Sequence, residues 1–369
     1  MKRARRYTAA GLAVASVAAA VVFGAGSANA GGFPAFVGPL HHTKTLTSTV
    51  PGNGDVNPYG VAVVSHSTGD LFARNVLVSN FNNKANVQGT GTTIVEITPS
   101  GHQWLFAQIN PNLPGCPGGV GLTTALSVLS SGWVIVGSLP TKNGNVSGAG
   151  CLIVLDKWGH VRETFKNHGI NGPWDMTAAD FGHVAVLFVT NVLNRTVQAG
   201  GKTVHGGTVL RLVVVVPRHG LPFLAQARTI GSGFGERTDP AALVVGPTGV
   251  GLGRNGTLYV ADTVANRVTA IPDALFRFSD AGTGFTVSQG RHLNNPLGLA
   301  VAPGGDILTV NASDGNLVEI TPFGAQIAVR TLDKNNGNGA GDLFGLAVKP
   351  HSDAVYYVDD FDNTFRLLF

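Results

Sequence analysis

Asn295-Pro-Leu-Gly-Leu-Ala-Val301 and Asp342-Leu-Phe-Gly-Leu-Ala-Val348 are two copies of one pattern, and the chain holds more. Asn57-Pro-Tyr-Gly-Val-Ala-Val-Val64 and Gly246-Pro-Thr-Gly-Val-Gly-Leu252 repeat it closely. Gly172-Pro-Trp-Asp-Met-Thr-Ala178 repeats it weakly, and Thr123–Val128 faintly. After each copy and a short Gly- or polar-containing turn comes a second β-rich run. These runs are Val76–Asn80, Val134–Ser138, Leu187–Asn191, Leu258–Asp262, Ile307–Asn311 and Val355–Asp360. A third apolar segment follows in every unit: Thr93–Ile97, Leu152–Leu155, Val209–Val216, Arg267–Ile271, Leu317–Ile320 and Thr364–Leu368. Most units then show a fourth strand, as in Gln103–Gln108, Val161–Phe165, Phe285–Gln289 and Gln326–Thr331. Six units of four short strands describe an all-β fold, the six-bladed β-propeller. Continuously apolar runs such as Val213–Val216 suit strands sandwiched between neighbouring blades.

The ends fit a closed ring. The sixth unit stops at Phe369, after its third strand, while Thr43–Val50 is an orphan strand ahead of the first unit. Letting the orphan complete the last blade pairs two edges that would otherwise stay open. A seven-bladed ring and an open array are the alternatives.

The run Leu258-Tyr-Val-Ala-Asp-Thr-Val-Ala-Asn-Arg-Val268, after Pro247-Thr-Gly-Val250, resembles the NHL repeat, and Asn295–Ile320 is similar. The resemblance covers the mature chain, strongly in units four to six and loosely in two and three. It implies a propeller and says little about function, because the fold hosts binders and several enzyme classes.

Residues 1–30 read as a secretory signal peptide. Lys2, Arg3, Arg5 and Arg6 precede an Ala/Val-rich run from Ala9 to Val22, and Ala28-Asn29-Ala30 gives a small-residue cleavage pattern, with cleavage expected after Ala30. The mature chain, 31–369, is then one propeller domain, expected to be secreted, monomeric and without a transmembrane segment. Losing the leader lowers Lys+Arg from 25 to 21, against 21 Asp+Glu. A formally neutral chain gives no support to a nucleic-acid or anionic-membrane partner, which needs clustered cations. The two cysteines, Cys116 and Cys151, are expected to form a disulfide in an exported protein.

Blade geometry sorts the loops onto two faces. Lead-ins to the innermost strands share one face with the connections from second to third strand; the tight turns share the other. On the first face the second strands end in Asn80, Ser138, Asn191, Asp262, Asn311 and Asp359 (or its neighbour Asp360). Oxygen-rich side chains converging on a channel rim suit Ca²⁺, whereas Asn and Asp also cap turns through nearby backbone. The connections Asn80–Thr92, Ser138–Gly150 and Asn191–Gly207 are long, and three adjacent insertions would wall half of the channel mouth. Both cysteines fall on this face. His66, His102, His160, His183, His219 and His351 belong to the other face, and no His pair has ligand spacing.

Asn171-Gly-Pro-Trp-Asp175 loosely resembles the Glu-Gly-Pro opening of gluconolactonase-like propellers, a Ca²⁺-dependent lactonase family. Asn171 stands where that family has its metal-binding Glu. Asp175 occupies the position of the repeat Gly, either lining the channel or hydrogen-bonded to neighbouring strands. Trp174, Tyr59 and Phe344 precede that position and read as blade-packing residues. Two functions follow. One is a binding module for an unknown protein or small ligand, using the loop-bearing face with Asn80, Asn191, Asp262, Asn311, Asp359 and Asp175 as candidate contacts. The alternative is a lactonase-like hydrolase with Ca²⁺ near Asp175 and Asp262. No Gly-x-Ser-x-Gly elbow is present, and the absence of an identifiable nucleophile, base or His cluster favours the first.

Overall fold

The computed structural model describes residues 34–240, 242–334 and 342–369; the leader and its cleavage site lie outside the described residues. Among those residues the secondary structure is all β. Blade one is Val56–Val63, Val76–Asn82, Thr93–Ile97 and Gln103–Gln108, paired in that order from the innermost strand outward. Blade two is Leu122–Val128, Val134–Ser138, Cys151–Leu155 and Val161–Phe165. Blade four runs from Pro247–Leu252 to Phe285–Gln289 and blade five from Pro296–Val301 to Gln326–Thr331. Blade six holds Leu343–Val348, Val355–Asp359 and Thr364–Leu368, and Thr43–Ser48 supplies its outer strand. That strand runs antiparallel to Thr364–Leu368, from Thr43 opposite Leu368 to Ser48 opposite Thr364. The expected closure is therefore present, and there are six blades.

The repeat Gly has a steric reason. A Cβ on Gly298 would lie 1.7 Å from the Phe344 carbonyl oxygen, and one on Gly345 would lie 2.3 Å from that of Tyr59. Backbones of adjacent inner strands touch at these points, blade five on six and six on one, so no side chain fits between them. Second and third strands are flanked by neighbouring blades, and every residue of Val134–Ser138, Cys151–Leu155 and Val355–Asp359 is buried. The outer strands are largely exposed or half-buried, as in Gln326–Thr331 and Thr43–Ser48.

Blade three departs from the pattern read in the sequence. Its third strand is Val204–Val215, and its outer strand is a 17-residue segment, Phe223–Asp239. The chain then folds back as Leu243–Val245 on Arg237–Asp239. The hairpin consumes part of the expected loop Asn191–Gly207 and extends beyond the blade. Repeated register shifts and Gly233 in the left-handed region (φ 80°) let it bend. We call residues 236–240 and 242–245 the strap.

Candidate functional site

The second-strand Asn and Asp residues sit at the loop-bearing ends of their strands, all 1% exposed or less. Asn80 donates to the Thr49 carbonyl (3.1 Å). Asn191 accepts the N–H groups of Asn171 (2.8 Å) and Gly172 (2.9 Å). Asn311 accepts from Asn294 N–H (3.1 Å) and donates to the His292 carbonyl (2.7 Å). Ser138 accepts from Gly121 N–H (3.0 Å). These side chains tie each lead-in segment to its own blade, the capping role available to short polar residues. Asp262 pairs with Arg267 at 2.8 Å and Asp359 with Arg366 at 3.1 Å. Burial nevertheless raises Asp262 above the usual carboxylate range, with Arg267 opposing. Burial, with Asp362, Asp333 and Asp342 nearby, pushes Asp359 up to about 7 against the pull of Arg366.

Asp175 does line the central channel, a cavity of about 350 Å³ walled by the inner strands of the six blades. Its two oxygens are engaged: Oδ2 accepts Val250 N–H of blade four (3.0 Å) and Oδ1 accepts Met176 N–H (2.7 Å). Where blades one, four, five and six meet their neighbours at Gly60, Gly249, Gly298 and Gly345, blade three reaches blade four through this carboxyl. Enclosure in the low-dielectric ring raises Asp175 to about 8, with the two amides opposing.

The channel is closed towards the loop-bearing face. Tyr59 stacks on Phe344 (centroids 3.9 Å) and on Phe81 (4.4 Å), and Trp174 leans on Tyr59 and Phe344 at 6.2 Å. Rings from blades one, three and six meet, so they lie on the axis. Trp174 donates from Nε1 to the Val244 carbonyl of the strap (3.0 Å). The channel cavity is lined by the far ends of the inner strands, such as Val63, Val128, Val301 and Val348, and opens among the tight turns. The expected mouth at the loop wall is thus on the opposite face.

The loop wall builds a different site. Loops from blades one, two and three meet the strap around a cavity of about 710 Å³. Gln88 comes from the first loop, Asn145 and Val146 from the second, Val197 from the third, and Arg237 and Asp239 from the strap. Gln88 Nε2 donates to the Pro240 carbonyl (3.1 Å), Thr141 Oγ1 to that of Gly89, and Arg237 pairs with Asp239 (3.3 Å). The second loop contains its own small hairpin, Thr141–Lys142 with Asn145–Val146. Cys116 and Cys151 are disulfide-bonded, Cα atoms 5.4 Å apart, tying the lead-in of blade two to the base of this loop. Glu236, fully buried on the strap, lies against the N–H groups of Leu193 and Asn194, too poorly aligned for full hydrogen bonds; burial lifts it to about 8. Neither Glu236 nor the strap has a sequence signal, because Gly231-Ser-Gly-Phe-Gly235 reads as loop.

The residues do not fit a central Ca²⁺. Among the described residues Asp175 is the only acidic side chain lining the channel and its oxygens face amides, while Asp262 lies outside that lining on Arg267. Among the described residues no group of three or more His, Cys, Asp or Glu is arranged to hold a metal ion. A hard cation needs several convergent oxygens.

No family model and no curated protein matches the chain. Solved structures do. The calcium-binding protein regucalcin from Agrobacterium tumefaciens is 11% identical, TM-score 0.54, over 88% of this chain and 93% of that one. A gluconolactonase from Xanthomonas campestris is 12% identical, TM-score 0.53, over 88% of each chain. The PQQ-bound aldose sugar dehydrogenase from Streptomyces coelicolor is 14% identical, TM-score 0.53, over 89% and 98%. The likeness defines the class as a six-bladed β-propeller with gluconolactonase-like neighbours. At these identities it is a likeness of fold, and the neighbours differ in what they do.

Proposed function

We propose that the chain is an exported, NHL-like binding module that holds a ligand or a protein segment in the bowl of its loop-bearing face. One observation carries the reading: three loops from consecutive blades and the strap, which share no repeat, converge on one cavity. Its size falls in the range of ligand pockets, roughly 300–1,000 Å³. The lining mixes amide side chains and an internal ion pair with Val146, Val197 and Leu243, which suits an occupant of no net charge. The disulfide and the hydrogen bonds of Gln88 to Pro240 and Thr141 to Gly89 hold the wall in place, and a pre-formed site loses less entropy on binding.

The test is capture from the extracellular fraction of the native host, comparing the wild type with Val146→Asp plus Val197→Asp. The account expects a component retained by the wild type and lost from the variant, with both proteins melting alike. An identical set on both would reject the bowl. A lactonase-like reading with Ca²⁺ at Asp175 and Asp262 would return if purified protein held stoichiometric Ca²⁺ and lost it on Asp175→Asn.

A further inference from the structure

The face away from the bowl carries an apolar load that neither blade packing nor the bowl explains. Successive blades place an exposed ring at or beside a tight turn there: Phe72, Trp158, Phe223, Phe278, Phe323 and Phe369. Phe323 is 97% exposed, and Phe276 and Phe285 are 75% and 69% exposed. Among the described residues Phe361 is the one exposed Phe or Trp on the loop-bearing face. Exposed rings cost solvation free energy and mark an interaction surface when gathered on one side. In blades three to five the turns lean on each other. Arg228 donates to the Phe278 carbonyl (3.0 Å), and Ser288 of the blade-four outer strand donates to the Gly324 carbonyl beside Phe323 (3.1 Å).

Two features say what covers this face. The rings stand on separate turns with polar residues between them, so they suit a deformable partner better than a second rigid protein surface, which needs a continuous packed core. Cations stand at ring level: Lys157 is 4.7 Å from the Trp158 centroid, Arg228 is 5.4 Å from that of Phe278, and Arg277 separates Phe276 from Phe278. Carboxylates share the face: Asp156 is buried on Trp158 and His160 N–H, whereas Asp70, Asp273, Asp280 and Asp353 are exposed, so the charge there is mixed. Aromatic rings with cations beside them match the headgroup layer of a bilayer.

We infer that this face rests on a phospholipid surface, its rings inserted at headgroup depth and the bowl directed away from the lipid. Ring insertion rather than net charge drives the contact, consistent with a formally neutral mature chain.

The test is co-sedimentation with phosphatidylcholine vesicles, with and without added phosphatidylglycerol. The chain is taken from Gly31 onward, so that the leader cannot mediate binding. The expected result is binding to both vesicle types with weak salt dependence. Phe276→Ser, Phe278→Ser and Phe323→Ser together should lower it at least about tenfold, and Phe361→Ser should leave it unchanged. Brominated phosphatidylcholine should quench the wild type more than Trp158→Phe, a readout that does not depend on the triple variant folding. Absence of binding to either vesicle, or binding indifferent to the triple variant, overturns the inference. So does a concentration-dependent dimer that these substitutions dissolve while vesicle binding persists, which would make the face a contact between copies.

Discussion

Asp175 is the one inner-strand position where a carboxyl replaces the close approach of two backbones. Burial raises it to about 8; Asp175→Asn keeps one acceptor oxygen but turns an NH2 onto the other backbone N–H, and should cost less in thermal melts at pH 7 than removal of both acceptors. Asp175→Ala leaves the Val250 and Met176 amides unpaired and should cost roughly 1–3 kcal/mol. Equal losses for both substitutions would contradict this assignment. Asp262 is the converse case, a carboxylate kept by its cation. Removing that partner with Arg267→Ala strands a buried acid, and denaturant unfolding should show a loss of about 3 kcal/mol. A loss of only a few tenths would mean that Asp262 is already neutral.

Among the elements, the inner, second and third strands were legible in the sequence because each unit repeats the same steric problem. Gly298 and Gly345 mark where neighbouring backbones meet, and the Asx residues after second strands mark where a loop must be tied down. The strap was not legible. The glycines that lead into it, Gly231, Gly233 and Gly235, break the alternation that identifies a strand, and its return strand, Leu243–Val245, is only three residues and belongs to no repeat. The bowl was readable only as unequal loop lengths, since its lining comes from segments far apart in the chain. The Cys116–Cys151 bond is the element most open to test, because it ties the lead-in of blade two to the first residue of its third strand across 35 residues of sequence. Replacing both cysteines by Ser should cost roughly 3–4 kcal/mol in equilibrium unfolding and leave six blades by circular dichroism. An unchanged midpoint would show that the loop wall is held by its hydrogen bonds alone.

At the scale of the whole molecule, the ring gathers carboxyl groups whose folded state holds protons more tightly than the unfolded chain. Asp175 and Glu236 lie near 8, Asp359 near 7 and Asp342 near 6, with burial the first cause in each case. Raised carboxyl pKa values contribute stability that is full below the usual carboxylate range and is lost as pH climbs through the folded values. The melting temperature should therefore fall between about pH 5 and pH 8, and Asp175→Asn with Glu236→Gln should flatten the decline; a midpoint rising over that interval would contradict the burial of these groups. Asp156 and Asp180, held low by turn amides despite burial, oppose this trend only in stronger acid. The proposed function divides along the same axis, with the bowl above the aromatic plug and the channel mouth below it. Hydrogen exchange on the protein carrying its captured component tests that division most directly. Protection confined to 83–92, 140–150, 192–203 and 237–243 is the predicted result. Protection of Asp175 and the lower inner strands, with those loops unchanged, would place the binding site in the channel and contradict the account.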